Sequence, residues 1–405
     1  MATRKPVIDT ELWKCDALKS EWLHEIMCDN CGQCSLETKV TPSDLEEFVV
    51  EVLKRHGVEP IGGKIVAKNL VSADQRGIFS HGTARLGRYL NGIRDGYIIP
   101  GIEPEIIDTA AAIAHIDARH GLGQIVSEQA TDIAIRKAEA CGVGMVTVKN
   151  SNHYGIAGYY VLKMLEKRML GICMTNAAPL VIPTFGVDAL LGTNPIAFGM
   201  PSSSPPDFLL DMATSVVPRG KLEVYDRQEK EMPIGWAADE NGEDCQDPTQ
   251  VLKNLVGRLG GGILPLGGAG EEFSGYKGFG LAVMVDMLCG VLSGSAFGGL
   301  VGNLERKDLP AGELQAPRVG HFFMAVDVSR FMPVDELERR VHEFITMIKD
   351  SPKAAGQTQI FIHGEKEQVR SDLHATAGIP IAENVFNTLC KIADECGAPR
   401  PKTVA

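Results

Sequence analysis

Helical and strand-like segments alternate along the chain from Thr41 onward, and this alternation restricts the possible folds more than any other feature. Thr41-Pro42-Ser43-Asp44 supplies a helix N-cap, a proline in the first turn and an acidic residue there, and Gly57 ends the helix. Gln124–Ala140 is a second amphipathic stretch that leads directly into an apolar strand candidate, Val143–Val148. Such alternation is typical of an α/β fold.

The rest of the chain continues the pattern. We predict further strands at Ala112–Ile116, Gly171–Met174, Ile196–Met200, Phe208–Leu210 and Phe322–Val328, and C-terminal helices at Val334–Lys349 and Ile381–Cys396, on either side of Ile360–Ile362. Connections rich in proline and glycine, such as Ala178–Pro195, argue against a regular parallel sheet. The apolar stretch Phe279–Leu292 contains Asp286 and is shorter than the roughly 20 residues that cross a bilayer. It predicts a buried helix and no membrane segment.

Length and charge limit the class of protein. A chain of 405 residues predicts two or three domains at roughly 100 to 200 residues each. With 40 Lys and Arg against 52 Asp and Glu, the net charge is −12, which disfavours binding to nucleic acid. Ten cysteines are too few for a disulfide scaffold, and no signal-peptide pattern opens the chain. We expect a cytoplasmic protein with reduced thiols.

Residues 1–40 form a predicted N-terminal extension that contains three close cysteines, Cys28, Cys31 and Cys34. A zinc site needs four ligands, and Cys15 is the nearest fourth candidate. The spacing lacks the two paired C-x-x-C knuckles of such sites, so we predict a solvated extension without metal.

Several common catalytic motifs are absent from the sequence. The runs Gly121-x-Gly123 and Gly278-x-Gly280 both lack the third glycine of G-x-G-x-x-G, which argues against a Rossmann turn. Gly270–Gly275 has the spacing of a P-loop, but Tyr276 occupies the position of the essential lysine. Neither H-E-x-x-H nor G-x-S-x-G occurs.

Two polar segments place a histidine among glycine, serine and asparagine. In Ser80-His81-Gly82-Thr83-Ala84-Arg85-Leu86-Gly87-Arg88-Tyr89, a helix beginning near His81 would put Arg85 and Tyr89 on the same face as the histidine. In Lys149–Gly158, His153 follows a predicted strand and precedes a helical run, a common location for ligand-binding residues. The alternative is that each histidine is a hydrogen-bonded turn residue.

Two further segments contain candidate binding residues. Asp211 follows an apolar strand, in Asp211-Met212-Ala213-Thr214-Ser215, and could bind a ribose; Lys221 could reach a phosphate or a substrate. A turn and a helix cap would explain these residues equally well. The glycines of Gly275–Leu281 would expose helix N-terminal amides to an anion, although packing alone could account for them.

Six of these motifs occur in an order that resembles the malate/L-lactate/L-sulfolactate dehydrogenase family, which includes ureidoglycolate dehydrogenase and piperideine-2-carboxylate reductase. They are Ser-His-Gly-x-x-Arg from Ser80, Asn-Ser-Asn-His-Tyr-Gly from Asn150, Gly-Thr-Asn-Pro from Gly192, Asp-Met-Ala-Thr-Ser from Asp211, Pro-Ile-Gly-Trp-Ala from Pro233 and Gly-Tyr-Lys-Gly-Phe-Gly-Leu from Gly275. The resemblance covers the chain from Thr41 to its end. It implies a homodimeric oxidoreductase that uses NAD or NADP. The implied fold is sulfolactate dehydrogenase-like, with a non-Rossmann, mixed and largely antiparallel nucleotide-binding sheet (116–330) and a discontinuous helical domain (41–115 and 331–405).

The resemblance also implies a role for each matching residue. Catalytic roles fall to His153, His81, Ser80 and Lys221, and substrate binding to Arg85, Tyr89 and Thr193. Cofactor binding falls to His153, Tyr154, Gly155, Ile156, Ala157, Asp211, Met212, Ala213, Gly364 and Glu365. In the loop that contains Gly364 and Glu365, His363 replaces the proline that is usual in the family. This difference affects the exact contacts of the loop.

The chemistry of these residue types fits hydride transfer between NAD(P)(H) and a small 2-hydroxy or 2-oxo acid. Histidine can exchange the hydroxyl proton near neutral pH, and arginine can bind the carboxylate through two parallel hydrogen bonds. We expect His153 to transfer the proton and His81 to polarise the substrate oxygen. Malate and oxaloacetate are the favoured pair, because Leu264–Gly298 most resembles the malate and sulfolactate branch. The alternatives are reduction of a cyclic imine carboxylate and an inactive nucleotide-binding relative.

Overall fold

A computed structural model describes residues 38–302 and 315–404. Its centre is a seven-stranded sheet with the strand order β2-β3-β4-β10-β5-β6-β7. The strands are β2 (Glu105–Ala110), β3 (Ile113–Asp117), β4 (Val143–Ser151), β5 (Leu170–Thr175), β6 (Ile196–Met200), β7 (Phe208–Met212) and β10 (Val319–Val326). Neighbouring strands run antiparallel except β3 and β4, which are parallel. The predicted mixed, largely antiparallel sheet is therefore confirmed.

Four shorter strands form two small antiparallel pairs outside this sheet. One pair joins β1 (Thr38–Val40) to β11 (Ile379–Ile381), and the other joins β8 (Ala237–Ala238) to β9 (Gly262–Ile263). The first pair fastens the beginning of the described chain to its last part.

The helices cover the sheet and build a second layer. They are α1 (Pro42–Arg55), α2 (Pro60–Gln75), α3 (Leu86–Arg94), α4 (Gly123–Cys141), α5 (Ala157–Glu166), α6 (Arg219–Arg227), α7 (Pro248–Gly257), α8 (Gly275–Asp286), α9 (Val334–Asp350), α10 (Glu365–Ala377) and α11 (Glu383–Cys396). Helix α1 begins as predicted, because the Thr41 side chain accepts a hydrogen bond from the Asp44 amide at 3.1 Å and Pro42 occupies the first helical position. No helix in the described part of the chain is long and apolar enough to cross a membrane.

Apolar residues form two main cores. In the first, α4 and α5 pack on the large sheet through side chains such as Ala134, Val146 and Phe323. The second lies among α1, α2, α3 and α11 and joins residues from both ends of the chain, including Val52 and Leu389. The helical unit is thus discontinuous, as predicted. The boundary expected at residue 115 falls inside β3, so the exact domain limits stay a prediction.

Two sequence predictions need correction, and one concerns residues outside the described part of the chain. The last three residues of the expected extension, 38–40, form a strand in which Val40 is fully buried, so the fold begins before Thr41. The cysteines at 28, 31 and 34 lie outside the described residues. The stretch Phe279–Leu292 is helical but only partly buried: one face packs on the sheet through Val285 and Cys289, whereas Met287 and Leu292 are exposed.

Candidate active site

The segment that carries Ser80 and His81 is not the regular helix that we predicted. It forms two short 3₁₀ turns, Phe79–His81 and Thr83–Arg85, before α3 begins. The buried Asp74 carboxylate causes this geometry, because it accepts hydrogen bonds from the Thr83 amide (2.8 Å) and the Thr83 hydroxyl (2.7 Å). A Cβ on Gly82 would lie 1.7 Å from that carboxylate, so only glycine fits the turn.

The turn nevertheless brings His81 and Tyr89 to His153. The rings of His81 and His153 stack with centroids 5.5 Å apart, and the Tyr89 hydroxyl lies 2.7 Å from His153 Nδ1. The Gly155 amide also points at this nitrogen, at the longer distance of 3.3 Å. The Ser80 hydroxyl bonds the Nδ1 of His81 at 2.9 Å. Both histidines therefore have partners at Nδ1, which leaves each Nε2 available to a ligand.

Burial and positive neighbours keep both histidines neutral at pH 7. The pKa of His81 falls to about 4 because of burial, Arg85 and Arg88. Burial also lowers the pKa of His153 well below its usual value, and Arg88, His81, Arg85 and His321 lower it further. Tyr89 is 1% exposed, and burial raises the pKa of its hydroxyl, which stays protonated. The site thus offers neutral imidazoles surrounded by positive charge.

Arg85 is fixed at one end and open at the other. Its Nε donates to the Ser80 carbonyl at 2.6 Å, and within residues 38–302 and 315–404 no contact is found for its two terminal nitrogens. A guanidinium held in this way can bind a carboxylate through two parallel bonds. Arg88 follows one turn later and lowers the pKa of His81, His153 and Tyr89, although sequence reasoning assigned it no role.

A buried polar network holds the loop of His153 from behind. Tyr154 stacks on His321 with ring centroids 4.5 Å apart, and His321 bonds Ser151 (2.8 Å) and Thr175 (2.7 Å) through its two ring nitrogens. Asn152 donates to the carbonyls of His120 (3.1 Å) and Gly121 (3.0 Å). Both sides of the loop are therefore anchored to neighbouring segments.

The candidate cofactor residues lie beside this loop. Gly155 has φ +86°, and a Cβ there would lie 1.7 Å from Asn69 Oδ1. The Gly158 amide, in the first turn of α5, donates to Asp211 Oδ2 at 2.7 Å. Burial raises the pKa of Asp211 to about 6, opposed by the Gly158 hydrogen bond and the buried Arg76. Asp211 thus joins β7 to the segment that follows His153.

The late loop also reaches β7. The Leu209 amide donates to the His363 carbonyl at 3.2 Å, which places Gly364 against β7. A cavity of about 250 Å³ opens here, lined by Asp207, His342, His363 and Glu365 among others. The cavity and Asp211 therefore lie along the same strand.

The remaining candidates are near the site without making side-chain contact with it. Thr193 accepts hydrogen bonds from Thr214 through its backbone carbonyl. Lys221 lies in the first turn of α6, the helix whose Arg219 and Glu223 affect the pKa of Arg85. Among the residues that the structure describes, no hydrogen bond or ion pair is found for the Lys221 side chain, and Met212 and Ala213 have no polar side-chain atoms to form one.

Comparison with known proteins identifies the family of the chain. Residues 40–390 match the family model described as malate/L-lactate dehydrogenase. The chain belongs to this family. Malate dehydrogenase of Pyrococcus abyssi is 45% identical over 89% of this chain and 95% of its own length, and L-sulfolactate dehydrogenase of Methanocaldococcus jannaschii is 36% identical over 88% and 96%. The crystal structure of malate dehydrogenase from Entamoeba histolytica superposes with a TM-score of 0.85 at 31% identity and covers 91% of this chain and all of that chain.

Family membership makes the protein an oxidoreductase that uses a nicotinamide cofactor. The site fits such a group. The partly buried Asp211 carboxylate, which also accepts the Gly158 amide hydrogen bond, offers an acceptor for ribose hydroxyls.

Proposed function

We propose that the protein interconverts malate and oxaloacetate with NAD(H) or NADP(H). The observation that carries this proposal is the cluster of His153, Tyr89 and His81 beside the open end of Arg85. Together these residues supply what a 2-hydroxy acid dehydrogenase needs: a proton-transfer group and a fixed cation for the substrate carboxylate.

Arg85 binds the carboxylate next to the reacting carbon, with Tyr89 and Thr193 as its neighbours in the substrate site. Arg88 lies one turn after Arg85, and no acidic partner is found for either side chain in the described part of the chain. These two cations favour a substrate with two acidic groups. This argues for malate over lactate. Lys221, in the first turn of α6, is the basic residue that this proposal adds to the site.

His153 exchanges the proton. In the oxidation direction its Nε2 takes the proton of the substrate hydroxyl while the C2 hydrogen leaves as hydride, and in the reduction direction it returns that proton to the new hydroxyl. The nicotinamide, when bound, supplies the carbon that accepts and donates the hydride. His81, held by Ser80, polarises the substrate oxygen.

We propose that the cofactor extends along β7. The residues from His153 to Ala157 line its nicotinamide end, Asp211, Met212 and Ala213 contact its middle, and Gly364 and Glu365 contact its far end at the cavity. The length of β7 supports this arrangement. Its five residues span about 15 Å, which is similar to the length of a dinucleotide.

We also propose a cytoplasmic homodimer. Met287, Val291 and Leu292 expose apolar surface at the end of α8, and Phe344 and Met347 do so on α9. The six cysteines of the described residues are free thiols, which suits a reducing compartment. Light scattering on the purified protein measures the oligomeric state.

Steady-state assays test the function. The absorbance of the reduced coenzyme is followed with oxaloacetate, pyruvate and piperideine-2-carboxylate, each with NADH and with NADPH. The proposal expects the largest kcat/KM for oxaloacetate, and the two coenzymes compared at saturation assign the cofactor. A largest value for the cyclic imine would replace the malate assignment with the reductase alternative.

A further inference from the structure

Strand β4 contains one extra residue just before the active-site loop. In its antiparallel pairing with β10, Val148 lies opposite His321, and Ser151 lies opposite Val319. β4 thus takes three steps where β10 takes two, so it contains a β-bulge. The extra residue lies between Val148 and Ser151, two residues before His153 at the latest.

Asn150 adopts the left-handed conformation that makes this bulge. Of the nine residues of β4, it alone has a positive φ, +52°. Among non-glycine residues, asparagine and aspartate adopt this conformation most readily, because their short polar side chains can hydrogen-bond locally. A β-branched residue such as valine fits it poorly, because the branched Cβ crowds the backbone. The bulge therefore depends on the residue type at this position.

Hydrogen bonds hold Asn150 on three sides. Its Nδ2 donates to both carboxylate oxygens of Asp117, each at 3.1 Å. Its amide donates to the Ser295 hydroxyl at 3.2 Å, and its carbonyl accepts from the His120 amide at 2.9 Å. The bulge is thus attached to β3, to the turn that follows β3 and to the segment after α8.

The bulge decides how the chain enters the active-site loop. Without the extra residue, Asn150 would take the position in the ladder that Ser151 occupies. A shift by one residue moves a side chain to the other face of a sheet. With the bulge, Ser151 is fully buried and its hydroxyl lies 2.8 Å from His321 Nε2. His153 follows two residues later, where its Nδ1 lies 2.7 Å from the Tyr89 hydroxyl.

We propose that Asn150 is a positioning residue for proton transfer, whose left-handed conformation maintains the bulge that places His153 against Tyr89. This inference rests on the proton-transfer role proposed for His153. The hydrogen bonds described above join Asn150 to groups outside the active-site loop, so it acts through the path of the backbone. β-Bulges next to active sites commonly redirect a side chain in this way.

Two substitutions separate the conformation of Asn150 from its side-chain bonds. Asn150→Val disfavours the left-handed conformation, so kcat for oxaloacetate reduction should fall about 10²-fold. KM should change only a few-fold, because Arg85 lies on another segment. Asn150→Gly removes the bonds to Asp117 but favours the left-handed conformation, so kcat should stay within a few-fold of the wild type. Equal losses of kcat in the two variants, or a loss in neither, would overturn the inference.

Arg258 provides a matched control. It is exposed, follows α7 and has nearly the same φ, +51°. Arg258→Val should lower the melting temperature, as Asn150→Val does, but should keep wild-type kcat. A loss of kcat in Arg258→Val as large as in Asn150→Val would show that strain in the fold, and not the position of His153, lowers the rate.

A double variant tests whether Asn150 acts through His153. If it does, Asn150→Val has no effect on kcat once His153 has been replaced. The double variant of Asn150→Val and His153→Gln should then have the kcat of His153→Gln alone. A further loss of about 10²-fold in the double variant would contradict the inference.

Failure of this inference is distinguishable from failure of the proposed function. If His153→Gln keeps wild-type kcat, the proton-transfer role is wrong. If His153→Gln loses activity while Asn150→Val keeps it, only the inference about the bulge is wrong. Melting temperature and coenzyme Kd report whether each variant is folded.

Asn150→Ala takes the place of Asn150→Val if the valine variant does not fold. Alanine lacks the β-branch and is less strained in the left-handed conformation, so the expected loss of kcat is about tenfold. Wild-type kcat in Asn150→Ala would overturn the inference.

Discussion

Replacing Arg85 by lysine tests the carboxylate site most directly. The Arg85 Nε is already bonded to the Ser80 carbonyl at 2.6 Å, which orients the two terminal nitrogens toward a ligand. Lysine has a single nitrogen, which can serve either the carbonyl or the substrate. Arg85→Lys therefore keeps the charge but loses both the anchor and one of the two parallel bonds.

The expected magnitude follows from one lost charge-assisted bond. Such a bond contributes about 1.5–3 kcal/mol, so kcat/KM for oxaloacetate should fall about 10- to 150-fold. The coenzyme Kd should stay nearly constant, because Arg85 does not contact the coenzyme in the proposed arrangement. Steady-state kinetics and fluorescence titration of the reduced coenzyme on the same preparation provide both values.

A matched control lies at the end of α3, the helix that follows Arg85. Arg94 is exposed and pairs with Asp95 at 3.2 Å, far from any ligand role, so Arg94→Lys should leave both values unchanged. Equal losses of kcat/KM and coenzyme affinity in Arg85→Lys, or no loss in either, would refute the carboxylate role of Arg85.

Three further changes have defined outcomes. His153→Gln should lower kcat by about 10²-fold or more while coenzyme binding, measured by titration, survives. The pKa of His81 is about 4 and that of His153 is also lowered, so the neutral base is present at pH 7. The kcat/KM for malate oxidation should therefore be level across neutral pH. The kcat/KM for oxaloacetate reduction, which needs the protonated histidine, should fall about tenfold per pH unit as the pH rises. Deleting residues 1–37 should leave the melting temperature nearly unchanged. Deleting residues 1–40 also removes β1 with the buried Val40, so it should lower the free energy of unfolding by about 2 kcal/mol or more.

Apolar periodicity predicted most of the elements, and the elements that it missed lack such a pattern. Strand β2 escaped prediction because it lies at the edge of the sheet, where Ile106 is 50% exposed and Ile107 is 40% exposed. Helix α10 reads Glu-Lys-Glu-Gln-Val-Arg-Ser-Asp-Leu-His-Ala-Thr-Ala, and among its described side chains only His374 is buried. An apolar stripe cannot be recognised in such a segment.

The sequence motifs predicted which residues form the site, but they did not predict the contacts among those residues. The sequence indicated His81, Arg85, Tyr89 and His153, but helical spacing gave the wrong reason for their proximity. The pairing of Tyr89 with His153 joins residues 64 positions apart, and such contacts depend on the tertiary fold.

Asp74 allows a last prediction in which stability and activity respond differently to pH. Burial raises the pKa of this carboxyl to about 7, and the two hydrogen bonds from Thr83 offset only part of the rise. The native state therefore holds a proton that the unfolded chain, with a pKa near 3.8, has released. Between about pH 4 and pH 7 the wild type should lose up to about 1.4 kcal/mol of unfolding free energy per pH unit from this group, and nothing further above pH 7.

Asp74→Asn removes that titration but keeps an oxygen that can accept both Thr83 hydrogen bonds. The variant should match the wild type near pH 4 and exceed its unfolding free energy at pH 8, as measured by urea denaturation at the two pH values. Since the turn beneath His81 keeps its geometry, kcat/KM should stay within a few-fold of the wild type. A stability difference that does not change with pH would show that Asp74 is ionised throughout. A 10²-fold loss of kcat/KM would show instead that its charge, and not its shape, holds the Ser80–Thr83 turn in place.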